Sequence, residues 1–326
     1  MNDLKPLRIF LAGHDGMVGK AIFKTLQSQS LHEIIVAPKS ELDLTNQSEV
    51  SSFFKHHQID EVYLAAAKVG GIYANNAYPA DFIYQNIMIQ SNIIHVAHMH
   101  NINKLLFLGS SCIYPVHADQ PIKESALLTG ALEVTNQAYA IAKIAGIEMC
   151  HSFNTQYGRD YRCLMPTNLY GPNDNFHREN SHVIPGLISK FYTAVETNQD
   201  EVVIWGTGSP KREFLHVDDL ANACTYIMQL SKESFTKCLQ SEMPHINIGS
   251  GIEVSIAELT AMLAMISGFK GKITYDSSKP DGSPRKLLDS SKIKTSGWRA
   301  EISLSSGLKS TYEWFSNNQQ SFRLGN

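Results

Sequence analysis

The run Leu7-Arg8-Ile9-Phe10-Leu11-Ala12-Gly13-His14-Asp15-Gly16-Met17-Val18-Gly19 decides the fold of this chain. Its first part is a short apolar run ending in glycine, which reads as a buried strand. Its second part has the spacing G-x-x-G-x-x-G and opens a helix-length stretch, Gly16 to Gln29. Glycines let the turn tighten and a pyrophosphate approach, while a helix N-terminus supplies N–H donors and the positive end of a dipole. A glycine-rich turn alone is weak evidence. With a strand before it and a helix after it, a dinucleotide site becomes the favoured reading.

Outward from this loop the strand–helix alternation continues. Glu33 to Pro38, Glu61 to Ala67, Lys104 to Gly109 and Tyr161 to Leu169 read as strands. The stretches Asn46 to His57, Pro79 to Asn101 and Asn136 to Tyr157 read as helices. Such alternation predicts βαβ units and a doubly wound parallel sheet. After Tyr170-Gly171-Pro172 the rhythm loosens, with Gly, Pro, Asn and Asp at Gly171 to Asn175, Gly206 to Pro210 and Pro280 to Pro284. The expected organisation is a nucleotide-binding domain over 1–172, with segments of about 212–250 returning to it. Residues 173–326 then form mainly a substrate-binding lobe. Ligands of open parallel sheets bind at the carboxyl ends of the strands, so the site is expected in the cleft between the two.

Composition narrows the function. The chain has 326 residues, 43% hydrophobic and 18% charged, with a formal net charge of −3. A core of full size can form, and the absence of a broad basic field argues against nucleic acid as a partner. No apolar run approaches the roughly 18 residues of a membrane span, and the first residues carry no signal-peptide pattern. The five cysteines, Cys112, Cys150, Cys163, Cys224 and Cys238, contain no C-x-x-C pair. Neither a disulfide framework nor a metal site is expected, and the compartment reads as reducing and cytoplasmic.

The residue after the second strand selects the cofactor. A carboxylate there would bond the ribose 2′-hydroxyl of NAD. This chain has Val36-Ala37-Pro38-Lys39, and Lys39 stands where a 2′-phosphate can sit. NADP(H) is therefore expected. Lys39 also reads as an ordinary surface lysine, and Glu41 or Asp43 can still reach a ribose.

Tyr139-Ala140-Ile141-Ala142-Lys143 is Y-x-x-x-K, which puts both side chains on one helix face. A nearby ammonium stabilises tyrosinate and lowers a phenol's pKa, so the pair can move a proton at a carbonyl. The fourth strand ends in Gly109-Ser110-Ser111-Cys112-Ile113-Tyr114-Pro115, where a serine hydroxyl can bond the same carbonyl oxygen. Glycine loop, strand-end serine and Y-x-x-x-K resemble the short-chain dehydrogenases/reductases, in particular the extended subfamily that acts on nucleotide sugars. That resemblance implies a Rossmann-type nucleotide domain.

Longer stretches sharpen the likeness: L-A-A-A-K-V-G-G-I at Leu64 to Ile72, M-P-T-N-L-Y-G-P at Met165 to Pro172 and R-E-F-L-H-V-D-D at Arg212 to Asp219. With G-S-S-C-I-Y-P they resemble the GDP-L-fucose synthases, also called GDP-4-keto-6-deoxymannose epimerase-reductases. The resemblance runs from Leu7 to Phe322. It implies epimerisation of GDP-4-keto-6-deoxy-D-mannose at C3 and C5, then NADPH-dependent reduction of the C4 ketone. It implies Ser110, Tyr139 and Lys143 as the reductive triad and Cys112 and His182 as the epimerisation acid/base pair. Cofactor contacts fall on Gly13, His14, Asp15, Gly16, Met17, Val18, Gly19, Leu108, Gly109, Ser110, Ser111, Lys143, Pro166, Thr167, Asn168, Leu169 and His182. The GDP-sugar falls on Lys190, Trp205, Arg212, Asp281 and Lys286. Asp15 and Ala37 depart from basic residues that relatives often carry. The family also pairs its two long helices into a dimer. Here those helices carry Ile83, Ile87, Ile94 and Val96 on more than one face, so a homodimer is expected.

Read without the resemblance, these residues keep other meanings. Cys112 fits a small buried hydrophobe as well as a thiolate base helped by Lys143. His182 fits a proton donor, while Ser181 before it fits a helix cap. Trp205 fits a base-stacking wall or core packing beside Val202 to Ile204. Rival activities are a 4,6-dehydratase, which wants a carboxylate beside Ser110, a C4-epimerase or other nucleotide-sugar enzyme of the family, and a non-catalytic NADP-binding regulator.

Overall fold

The computed structural model describes residues 6–29, 32–177, 181–239, 243–279 and 281–319. Pro280 and Phe322, which the sequence reading includes, lie outside these. The first strands are β1 (Arg8–Ala12), β2 (Glu33–Ile35), β3 (Glu61–Leu64), β4 (Lys104–Leu108) and β5 (Asp160–Pro166). Between them run helices α1 (Met17–Ser28), α2 (Gln47–His56), α3 (Ile72–Ala77), α4 (Pro79–Met99) and α5 (Gln137–Tyr157). The later strands are β6 (Asn168–Tyr170), β7 (Glu201–Trp205), β8 (Lys211–His216), β9 (His245–Ile248), β10 (Glu253–Ser255), β11 (Lys272–Asp276) and β12 (Arg285–Lys286). With them come α6 (Val183–Glu196), α7 (Val217–Gln229), α8 (Lys232–Leu239), α9 (Ile256–Ser267), α10 (Ser291–Ser296) and α11 (Leu304–Asn317).

The main sheet has six strands in the order β2-β1-β3-β4-β5-β9, all parallel. The expected doubly wound parallel sheet is present. From β1 the chain goes first to one neighbour, β2, and then to the other, β3. The β1 carboxyl end is therefore a topological switch point, where a crevice opens, and it carries Gly13.

A sheet covered on both faces needs apolar side chains on both. Ile9 and Leu11 of β1 and Leu106 and Leu108 of β4 join one core with α1 and α7. Phe10 and Ala12, with Leu105 and Phe107, join the other with α2, α4 and α5. A third core, around Phe191, Phe214, Leu259 and Phe315, ties α6, α9 and α11 together.

Two expected strands end early. The second stops at Ile35, before Pro38. The run expected from Tyr161 to Leu169 splits after Pro166, since β6 leaves the main sheet to pair with β8. Proline has no N–H for the ladder, and Thr167 at the break binds the Glu213 carbonyl through Oγ1 at 3.2 Å. The structure also has α3, which the sequence reading passed over. Among the described residues no helix is long and apolar enough to cross a membrane, and all five cysteines are free and buried.

Candidate active site

The glycine loop is shaped by close approach at two glycines and by open space at the third. Gly13 has φ +90°, and a Cβ there would lie 2.6 Å from the Ala66 backbone nitrogen. A Cβ on Gly19 would lie 1.9 Å from the Gly13 carbonyl oxygen, so only glycine lets α1 pack against the turn. Gly16, the N-cap of α1, has no side-chain cap, and a Cβ there would meet nothing nearer than 3.7 Å. The exposed N-terminus of α1 beside Gly16 is thus a cradle that fits a diphosphate. His14 pairs with Asp15 at 3.1 Å, which keeps that carboxylate engaged at the rim.

The segment after β2 exposes Lys39 and Glu41. Asp43 is occupied, since Oδ1 accepts from the Thr45 N–H and hydroxyl at 2.9 and 2.8 Å. Those bonds hold its carboxyl below the usual range. Asp43 is therefore a turn-former, which leaves Lys39 as the exposed cation after β2.

At the carboxyl end of β4, Gly109 lets Met165 approach, since a Cβ there would lie 2.3 Å from its sulfur. The Ser110 side chain accepts the Cys112 N–H at 3.3 Å and starts a 3₁₀ turn over Ser111–Ile113. Serine and thiol are thereby held in one tight turn. Helix α5 brings the third group. Gly146 allows the helix to sit close, because a Cβ there would meet Phe107 at 2.5 Å and Gln90 at 2.9 Å. Gln90 Nε2 donates to the Ala142 carbonyl at 2.6 Å and fixes the helix on α4.

Lys143 is buried, and its Nζ donates to the Leu108 carbonyl at 2.8 Å. The ammonium lies 4.8 Å from the Phe107 ring centroid and 5.7 Å from that of Tyr139. Burial lowers its pKa to about 8. Tyr139 packs edge-on to Phe82 with centroids 6.3 Å apart. The sequence reading has the ammonium lowering this phenol's pKa. Instead burial, and next Cys112, raise it, because desolvation outweighs a cation already bound to a carbonyl. Tyr139 holds its proton at neutral pH. Cys112 follows the same rule: burial pushes the thiol up, against the pull of Lys286, Ser110 and Lys143.

His182 is exposed and is itself the N-cap of α6, with no side-chain cap bond. Ser181 is therefore not the cap. Neighbouring protein withholds part of the imidazole's hydration and lowers its pKa.

After β5, Asn168 Nδ2 binds the Glu213 carbonyl at 2.9 Å. The buried Glu213 carboxylate accepts Gly251 N–H at 2.7 Å and Leu288 N–H at 3.0 Å. Pro166 to Leu169 are thus locked onto β8 beside the end of the sheet.

The remaining predicted residues gather on the C-terminal half. Strand β7 alternates, with Val202 and Ile204 in the core and Val203 and Trp205 out. Trp205 is 65% exposed, which removes the core-packing reading. Lys190 and Lys279 lie 5.5 and 5.6 Å from its ring centroid. A groove of about 410 Å³ runs beside Lys190, Thr193, Val203 and Trp205. Asp281 clamps a neighbouring loop: its Oδ1 accepts Thr207 N–H at 2.7 Å and its Oδ2 the Thr207 hydroxyl at 2.8 Å. Arg212 and Lys286 are paired in register across β8 and β12. Lys279 was missed in the sequence, where S-S-K-P-D-G reads only as loop punctuation. A second hollow, of about 290 Å³ beside Arg8, His57 and His100, lies at the amino ends of the strands, away from this constellation.

Comparison with known proteins gives the family. The sequence pattern of the NAD dependent epimerase/dehydratase family matches residues 9–249. The GDP-L-fucose synthase of Escherichia coli strain K12 is 57% identical, over 97% of this chain and 98% of its own. The GDP-L-colitose synthase of Yersinia pseudotuberculosis is 40% identical, over 96% of this chain and 99% of its own. Among solved structures, a GDP-D-glycero-L-gluco-heptose synthase from Campylobacter jejuni, determined in the presence of NADPH, is 38% identical with a TM-score of 0.90. That match covers 95% of this chain and 98% of the other.

Proposed function

The chain belongs to the NAD dependent epimerase/dehydratase family, and from that membership we propose that it acts as a GDP-L-fucose synthase. It inverts C3 and C5 of GDP-4-keto-6-deoxy-D-mannose and then reduces the C4 ketone with NADPH. The observation that carries this reading is the joining of two sets of groups at the end of β4. Ser110, Tyr139 and Lys143 suit a carbonyl, and the thiol of Cys112 shares the turn of Ser110. No carboxylate follows Ser110, which disfavours a dehydratase. The presence of both Tyr139 and Lys143 disfavours a silent regulator. The 57% likeness to a fucose synthase, against 40% to a colitose synthase, favours the former sugar.

The groups divide the chemistry. A C4 ketone acidifies the hydrogens on C3 and C5, since each carbanion is an enolate. Cys112 takes a proton from the ring, and His182 returns one on the opposite face. The Ser110 hydroxyl and the Tyr139 phenol bind the C4 oxygen, and Tyr139, protonated at neutral pH, donates to it during reduction. NADPH supplies the hydride. Gly13 to Gly19 would hold its diphosphate, Lys143 its nicotinamide ribose, and Leu108 to Ser111 with Pro166 to Leu169 would line its path. Lys190, Arg212 and Lys286 offer charge to the GDP diphosphate, and Trp205 offers a face to guanine. The division into residues 1–172 with about 212–250, and mainly 173–326, assigns the cofactor to the first part and the sugar nucleotide to the second.

Mixing the protein with NADPH and GDP-4-keto-6-deoxymannose should bleach the nicotinamide absorbance and yield GDP-L-fucose. No bleaching from a folded protein would reject the reading.

Cofactor choice rests on Lys39. Lys39→Ala should weaken NADPH binding by about 10- to 100-fold, the range of one lost charge-assisted bond of about 1.5–3 kcal/mol. NADH binding should change little, and titration of both cofactors measures the difference. Equal losses would remove Lys39 from 2′-phosphate recognition.

A homodimer completes the reading. Ile94 and Val96 are buried, but Ile83 and Ile87 are half-buried, and Tyr84 and Ile141 are exposed on the paired helices α4 and α5. Such a face suits a twofold partner. Light scattering at micromolar concentration should give twice the chain mass; a monomer mass would refute it. Five buried free thiols suit a reducing, cytoplasmic setting.

A further inference from the structure

The turn that carries Cys112 is weakly held by its own bonds. Cys112 N–H reaches Ser110 Oγ at 3.3 Å. Ile113 N–H reaches the Ser110 carbonyl at 3.3 Å, and Tyr114 N–H the Ser111 carbonyl at 3.5 Å. All exceed the usual length of about 2.9–3.0 Å. The entry to the turn is fixed by β4, where Lys143 Nζ holds the Leu108 carbonyl at 2.8 Å. The exit is fixed by a side chain. Tyr114 is buried, and its hydroxyl donates to Oδ1 of Asn247 at 2.5 Å.

Asn247 is fully buried in β9, and every polar atom of its amide is used. Nδ2 donates to the Ile122 carbonyl at 2.9 Å and to the Asp289 carbonyl at 3.2 Å. Carbonyl oxygens only accept, so the amide has one workable orientation, and in it Oδ1 faces Tyr114. The Asn247 backbone N–H donates to Glu124 Oε1 at 3.0 Å, and Glu124 Oε2 lies 3.6 Å from Lys292 Nζ. Asp289 N–H closes the knot on the Ile122 carbonyl at 2.8 Å. Asn247 thus joins the edge strand of the main sheet to residues 122, 124 and 289, and offers its remaining acceptor to the turn of Cys112.

The reducing groups are held from elsewhere. Gln90 Nε2 fixes the helix of Tyr139 and Lys143 through the Ala142 carbonyl at 2.6 Å, and Ser110 stands at the anchored entry of the turn. Loss of the Tyr114 bond therefore bears on Cys112 first.

We propose that Tyr114 and Asn247 are positioning residues for epimerisation, bracing the turn so that the Cys112 sulfur is aimed at the sugar ring. Both act through the turn. This deepens the epimerase-reductase reading and rests on it.

Tyr114→Phe keeps the ring and removes only the hydroxyl, and Asn247→Ala removes the acceptor from the other side. Wild type and variants are run in D₂O with NADPH and GDP-4-keto-6-deoxymannose. Each variant should slow deuterium entry at C3 and C5 by about tenfold, the size of one hydrogen bond's net contribution. In Tyr114→Phe the KM for the sugar nucleotide and the affinity for NADPH should stay close to wild type. The product should include C4-reduced sugar with incomplete inversion, a change that lost stability alone does not make. The double variant should exchange no more slowly than Asn247→Ala, because the two side chains act through one bond. Either variant, folded by circular dichroism, decides the matter. Fully inverted product at the wild-type exchange rate overturns the proposal, as does an equal fall of exchange and hydride transfer. Absence of exchange in the wild type is a different result: it rejects the epimerase reading itself, and the brace with it.

Discussion

Tyr139→Phe should lower turnover by about 10²- to 10⁴-fold, the usual contribution of a positioned general acid. The substitution keeps the ring that packs on Phe82 at 6.3 Å and removes only the hydroxyl. Stability should change little, so the loss will be chemical. Burial keeps the phenol protonated, and a protonated donor is what a ketone needs as it accepts hydride. Epimerisation does not use this donor, so deuterium exchange should continue while NADPH oxidation nearly stops. Near-normal NADPH oxidation by a folded variant would remove Tyr139 from the mechanism.

Cys112→Ser should slow deuterium entry at C3 and C5 by about 10²- to 10⁴-fold, the range of a lost general base. Serine preserves shape and keeps the backbone N–H bond to Ser110 Oγ, but its hydroxyl does not ionise near neutrality. Hydride transfer stabilises a different transition state, so reduction should persist and give a C4-reduced sugar with incomplete inversion. Wild-type exchange at both carbons would show that Cys112 is not the base.

The nucleotide half was legible because local and global signals agree there. A strand, three spaced glycines and a helix say one thing, and each glycine meets a physical need at the switch point of the sheet. The reductive groups were legible because Tyr139 and Lys143 share one helix turn and Ser110 ends one strand. Protonation was not legible. The Y-x-x-x-K spacing shows a cation near a phenol, but not that the cation is spent on the Leu108 carbonyl or that both groups are dry. The surroundings of Cys112 were hidden too. The sequence points to Lys143, whereas Lys286 comes from a strand laced on by the bridge between Ile122 and Leu288. Sequence distance conceals such partners. Trp205 was hidden as well: V-V-I-W is apolar throughout, and only the burial along β7, with Val202 and Ile204 inside, sets Trp205 outside the core.

The central claim is that one pocket both epimerises and reduces. Its most direct test is to run the reaction in D₂O with NADPH and GDP-4-keto-6-deoxymannose and locate deuterium in the product by NMR. The account predicts GDP-L-fucose carrying solvent deuterium at both C3 and C5, with C4 hydrogen from the cofactor. A C4-reduced product with protium retained at C3 and C5 would contradict it, because the protein would then be a reductase without the epimerising pair.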